Sequence, residues 1–251
     1  MADAVQDFTR RLLVDAGIGA GTRVLDIGCG TGDVALLAAD VVGGRGEVVG
    51  VDRDAGPLAM ARDRARERRP ANVRFVQGGF DALPLGPGVF DAAVGRRVLM
   101  YQPDATRAVQ RLARNVRPGG LIVFQEHDST MVPAGLVPMP LHRRAQGWVW
   151  RTVEREGADV HMGFGLHAVL ARAGLSVEHV RAEAIVQTPD APYGIGAIVH
   201  ALLPRIVRRA IATEDEIDAD TLDRRLDEER VSTNATYVGD MVFGAWARKP
   251  A

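Results

Sequence analysis

Asp26 and Asp52 are the two carboxylates whose placement could do chemistry, and Gly28, Gly30 and Gly32 lie between them. Asp26 stands two places before the first glycine. A bound pyrophosphate would meet its charge unfavourably there, whereas an amino group would meet it well. Asp52 closes the run 47–51, which reads as a strand and sets its carboxylate to accept from ribose hydroxyls. Glycines at every second position permit positive φ and a close approach of backbone to ligand. A helix beginning at Asp33 turns its first N–H groups towards that loop. The spacing Gly-x-Gly-x-Gly differs from the Gly-x-Gly-x-x-Gly of dinucleotide sites. Together these residues suit a nucleotide-like ligand that carries an amino group.

The run Val24-Leu25-Asp26-Ile27-Gly28-Cys29-Gly30-Thr31-Gly32 closely resembles the first motif of the class I S-adenosylmethionine (SAM)-dependent methyltransferases, and Asp52 matches their ribose-binding acid. The resemblance implies a cofactor site made of Asp26, Gly28, Cys29, Gly30, Thr31, Gly32 and Asp52, with Arg53 beside it. It extends to Gly79 and Phe80 after the third strand. In the family that loop commonly reads Gly-Asp-Ala-x-x-Leu-Pro, and its Asp-Ala pair meets the adenine. Gly79 and Phe80 hold those places here, which leaves Phe80 to stack on the ring or Asp81 to substitute. Arg96 is expected at the SAM carboxylate and Arg97 at a carboxylate or phosphate of the acceptor. Methyl transfer from a sulfonium needs a nucleophile brought into line and water excluded, and a base only when the nucleophile must lose a proton.

Among the six histidines, His127 is the candidate base, because Glu126-His127-Asp128 follows the fifth strand at the active rim. An imidazole titrates near neutrality, which suits proton removal from a hydroxyl or amine. His142 and Trp148 on an inserted helix, with Tyr101, are the further candidates for the acceptor. No metal is assigned. Neighbours on a strand point to opposite faces, so Glu126, His127 and Asp128 make a poor chelate, and Arg96-Arg97 would repel a divalent ion.

The elements that position these groups alternate. Strands are expected over 24–27, 47–51, 73–77, 90–94 and 121–125, separated by helices over 33–41, 58–68 and 104–115. The arginines of 58–68 alternate with other residues and read as a solvated helix. This order implies a parallel, doubly wound sheet with ligands at the carboxyl ends of its strands. With further strands over 177–186 and 237–248, the resemblance implies the mostly parallel, seven-stranded, Rossmann-like methyltransferase sheet. Two insertions, 129–162 and 189–234, are expected to form a helical lid over the substrate within a single domain. The second carries an apolar stripe from Ile195 to Ile211 that Pro204 is expected to kink or divide, then one charged helix over 214–231.

A chain of 251 residues, 47% hydrophobic and 25% charged, is of ordinary globular composition. A net charge of -1 gives no general field towards nucleic acid or membrane. The single cysteine, Cys29, excludes an intrachain disulfide. Arg10-Arg11 are followed by three apolar residues before Asp15, too few for a secretory signal, so a cytoplasmic protein is expected. The reading is a methyltransferase acting on a small molecule, with oxygen or nitrogen favoured over carbon as acceptor atom. The cofactor is SAM with no metal, and a homodimer is possible through the Ile195–Ile211 stripe. An RNA or protein methyltransferase, or a SAM-binding domain without catalysis, are the rivals.

Overall fold

The computed structural model describes residues 4–68, 72–83 and 85–251. It divides into two compact units: residues up to 127 with 162–182 and 242–251, and residues 128–161 with 183–241.

In the first unit, β1 (Arg23–Ile27), β2 (Glu47–Asp52), β3 (Val73–Gln77), β4 (Phe90–Arg96) and β5 (Val116–Asp128) form a sheet. The pairs β1–β2, β2–β3, β1–β4 and β4–β5 are all parallel. Strand β1 is buried on both faces from Val24 onward, as its continuous apolar run requires. With β6 (Ala134–Gly135), β7 (Ser176–Gln187) and β8 (Tyr237–Arg248), the full order is β3-β2-β1-β4-β5-β8-β6, and β7 lies beside β8. The chain builds outward from β1 in one direction and then returns to β4 on its other side. That reversal opens a crevice at the carboxyl ends of β1 and β4, where ligands of such sheets bind. The seven-stranded, mostly parallel expectation holds, and a two-residue strand β6 (Ala134–Gly135) adds to β8.

Helices α1 (Ala4–Asp15), α2 (Asp33–Val42), α3 (Ala55–Arg68), α4 (Ala105–Ala113) and α6 (Met162–Arg172) also belong to this unit. Asp104 caps α4 by accepting the Arg107 N–H. Phe8 and Leu12 of α1 lie where a side chain at Gly244 would stand.

Two strand ends differ from expectation, and both matter to the site. Strand β4 runs on through Gly95 and Arg96, paired with Phe124 and Gln125, so Arg96 is a strand residue and not a loop one. Strand β5 continues through Glu126, His127 and Asp128. The β4 extension finds its hydrogen-bond partners in Phe124 and Gln125 of β5.

The second unit gathers both insertions. Its helices α5 (Pro140–Arg155), α7 (Ile195–Arg208) and α9 (Ala219–Thr233) share an apolar core that includes Leu141, Trp148, Ile195, Val199, Leu222 and Leu226. Pro204 lies inside α7 and does not divide it. The charged segment after it does divide, at Asp218, whose φ of 47° ends α8 (Glu214–Ile217) before α9 begins. Asn and Asp tolerate that conformation better than other side chains do.

Candidate active site

The glycine loop is pinned before any ligand is considered. Gly28 and Cys29 N–H both donate to Val51 O, at 2.7 and 3.0 Å. Gly28, Gly30 and Gly32 have φ of 69°, 53° and 86°, a region that favours glycine. Their surroundings separate them. A Cβ at Gly28 would overlap Val98, and one at Gly32 would press on Ala61 and Phe75 at 3.1 Å, whereas Gly30 faces open space. A side chain at Gly30 would therefore meet no steric block, only the strain of its positive φ. Cys29 is buried, and burial first, then the charges of Asp26 and Asp52, pushes its thiol up. A thiol held in its protonated form is a weak nucleophile.

A cavity of about 460 Å³ opens beside this loop. Its walls include Gly28, Asp52, Arg53, Gly79, Phe80, Arg97 and Tyr101, so cofactor candidates and two acceptor candidates share one space. Asp26, Cys29, Gly30, Thr31, Gly32 and Arg96 are not among its lining residues. Asp52 Oδ2 accepts the Gly30 N–H at 2.8 Å and Oδ1 accepts the Asp54 N–H at 3.0 Å. Asp52 thus fixes the loop while each oxygen keeps a lone pair for a hydroxyl. Phe80 is buried on the wall. Asp81 forms an ion pair with Arg111, so its carboxylate is already engaged.

Beneath the loop, Asp26 is 1% exposed. Burial raises its carboxyl to about 8, opposed by Arg96 and by a hydrogen bond from the Ala35 backbone. Oδ2 has no partner. An unfilled buried acceptor under a glycine loop is what a ligand ammonium would complete. Arg96, expected at a ligand carboxylate, instead donates to Thr9 Oγ1 and to Asp33 Oδ2, at 3.3 and 3.2 Å. The reason is its place in β4. Arg64 departs from the solvated reading of its helix: it donates to Thr31 O at 2.7 Å and pairs with Asp33 at 2.7 Å, which buttresses the loop.

His127 is 5% exposed and its Nε2 has no partner. Burial, then the Arg97 and Arg96 charges, lowers its basicity well below the ordinary imidazole value. The expectation of titration near neutrality is corrected accordingly, since the ring stays neutral through the physiological range. In the second unit His142 is buried, with Nδ1 2.7 Å from Glu229 Oε2. It shares a small cavity with Gln146, Gln187 and Tyr237. Trp148 sits in the helical core and fills an ordinary packing role. Trp150 donates to Asp240 at 2.8 Å.

Sequence reasoning missed three participants. Val98 is the reason Gly28 has no side chain. Asp33 gathers Arg64 and Arg96. Glu126 was weighed only as a metal ligand, yet Oε1 accepts from both Val98 and Leu99 N–H. A charged residue within the apolar run of β5 was the available signal, because such a group stays buried only when bonded.

Residues 18–159 match the methyltransferase domain family. The chain belongs to that family, the class I SAM-dependent methyltransferases. It is 35% identical over 114 residues to the demethylmenaquinone methyltransferase of Shouchella clausii (strain KSM-K16), a match covering 45% of this chain and 48% of that one. The chain thus spans about half the length of the curated relatives it matches. The fold is shared with the YcgJ protein of Bacillus subtilis, at TM-score 0.64 and 19% identity over 98% of this chain and 99% of the other. A SAM-dependent methyltransferase of Aquifex aeolicus aligns at TM-score 0.58 and 14% identity, over 96% of this chain and 88% of that one. Among the described residues no group of three or more histidine, cysteine or acidic side chains could hold a metal ion. No described helix is long and apolar enough to cross a membrane.

Proposed function

We propose that the protein transfers a methyl group from SAM to a small-molecule acceptor. The observation that carries this reading is Asp52, bonded to the Gly30 N–H and sharing one cavity with Gly28, Gly79 and Phe80. A cavity of about 460 Å³ suits a nucleoside-sized ligand. Asp52 would receive the ribose hydroxyls, Phe80 the adenine face, and Asp26 the amino group. The bound cofactor supplies a methyl carbon already activated by its sulfonium. The protein's own residues then bind, orient and exclude water.

Arg97 and Tyr101 belong to the acceptor side of the same cavity in this proposal. His127 is the proposed base where the acceptor must lose a proton, and His142 a proposed acceptor contact. The name of the matched relatives favours a quinone of the demethylmenaquinone kind as the acceptor class. Oxygen or nitrogen is proposed ahead of carbon as the acceptor atom, and analysis of the methylated product decides between them. The insertions 129–162 and 189–234 are proposed to serve the acceptor as a helical cover. Shortening 189–234 should then abolish turnover and spare SAM affinity; unchanged turnover rejects that role.

The test of the function is incubation with labelled SAM and fractionated lipid and polar metabolites, followed by mass analysis of the methylated product. S-adenosylhomocysteine formed together with a methylated small molecule supports the reading. SAM binding without product from any fraction rejects it in favour of a binding domain.

A further inference from the structure

We propose that Glu126 is a positioning residue of this site: its buried carboxylate clamps residues 97–101 against the glycine loop and so sets the cavity wall that Arg97 and Tyr101 provide. The inference rests on the cofactor reading above for its functional consequence, and on geometry alone for the clamp.

Glu126 is fully buried, on the face of β5 opposite to His127. Its Oε1 accepts the Val98 N–H at 3.0 Å and the Leu99 N–H at 2.7 Å. Those donors open the short 3₁₀ turn Leu99–Tyr101, where they have no carbonyl partner of their own. One carboxylate oxygen therefore satisfies the start of the turn.

The held turn has consequences on both sides. Val98 packs so closely on Gly28 that no Cβ fits there. Arg97 sits just before it at φ 54°, with its N–H bonded to Gln125 O at 2.8 Å. A non-glycine residue keeps that conformation only where its surroundings hold it. Glu126 and Gln125, adjacent on β5, supply the hold. Gln102 donates back to Val98 O at 3.2 Å and closes the turn. Glycine loop and acceptor-side wall thus share a single seat, Val98 on Gly28, and Glu126 fixes it. Burial pushes the Glu126 carboxyl up to about 7, opposed by the Leu99 and Val98 bonds and by the facing Arg97 charge.

Three variants test the clamp. Glu126→Gln keeps an oxygen for both N–H groups. Glu126→Asp shortens the reach, and Glu126→Leu removes the acceptor. Amide exchange is followed in the protein without SAM, with the β1 amides as an internal control for global opening. Exchange at Val98 and Leu99 should speed up on the order of 10–100-fold in Glu126→Leu, and by a smaller factor in Glu126→Asp, while β1 is unaffected. Glu126→Gln should restore protection. SAM affinity and turnover measured separately should fall on the order of 10-fold in Glu126→Leu and recover in Glu126→Gln.

Unchanged exchange at Val98 and Leu99 in both Glu126→Leu and Glu126→Asp overturns the clamp. If Glu126→Leu does not fold, the Asp and Gln pair decides alone. Altered exchange with unaltered SAM affinity and turnover overturns its link to the site. A wild-type protein that binds no SAM refutes the cofactor reading, and the exchange result still decides the clamp.

Discussion

Asp26→Asn separates the ammonium role of Asp26 from simple burial. In the ligand-free protein its carboxyl titrates at about 8, so roughly nine-tenths of molecules carry the proton at pH 7. An ammonium beside Oδ2 favours the ionised form, and binding should then expel that proton. Calorimetry with SAM in two buffers of different ionisation enthalpy counts the protons exchanged. The wild type should release about 0.9 proton more than Asp26→Asn at pH 7. Protonation of the ligand's own amino group is common to both and cancels in the difference. Stability gives an independent check. The folded value lies above the ordinary 3.8, so stability from this group is complete below pH 3.8 and falls as pH rises from there to 8. The loss reaches at most about 4 kcal/mol at pH 7, at about 1.4 kcal/mol per unit. Asparagine keeps an oxygen for the Ala35 N–H and removes this slope. Denaturant midpoints at pH 5 and pH 8 should therefore diverge less in the variant. Equal proton release in the two proteins refutes the ammonium assignment, and parallel stability profiles refute the raised carboxyl.

Gly28→Ala should cost about 2–4 kcal/mol of stability through its overlap with Val98 and its positive φ, whereas Gly30→Ala should cost about 1–2 kcal/mol through φ alone. Chemical denaturation of the two variants checks the order. Asp52→Ala should weaken SAM binding by about 1–3 kcal/mol in calorimetry, because it removes an acceptor for the ligand and releases the Gly30 N–H. His127→Ala should lower single-turnover rate by roughly 10²–10⁴-fold with SAM affinity unchanged if it is the base. Any acidic limb it governs should lie well below pH 6.5, and a limb at 6.5 that vanishes in the variant contradicts its burial.

The first unit was legible because its signals are local. Short strand-forming runs that end at Gly28 and Gly78 placed β1 and β3 within one residue of their observed ends, and the loop spacing with Asp52 pointed to the crevice. What escaped was set by neighbours distant in sequence. The reach of β4 through Arg96 depends on β5, and no local pattern at 95–96 announces it. Within that strand Arg96 has internal partners in Asp33 and Thr9. Gly28 was read through ligand approach, but its own structural need is Val98, seventy positions later. His127 was judged by its ordinary titration, and only burial corrects that. Pro204 shows the converse failure. A helix breaker by local rules stays inside α7, whose buried residues Val199, Leu202 and Ile206 flank it.

The strand order also bears on how the chain is made. Strand β5 is bordered by β4 on one side and β8 on the other. β4 precedes it on the ribosome, but residues 129–236 must be synthesised before β8 begins. For that interval the buried, apolar strand carrying Glu126 and His127 has an open edge, which invites pairing with another nascent chain. The cofactor crevice, assembled from early segments, must therefore wait for a late strand to seal its sheet.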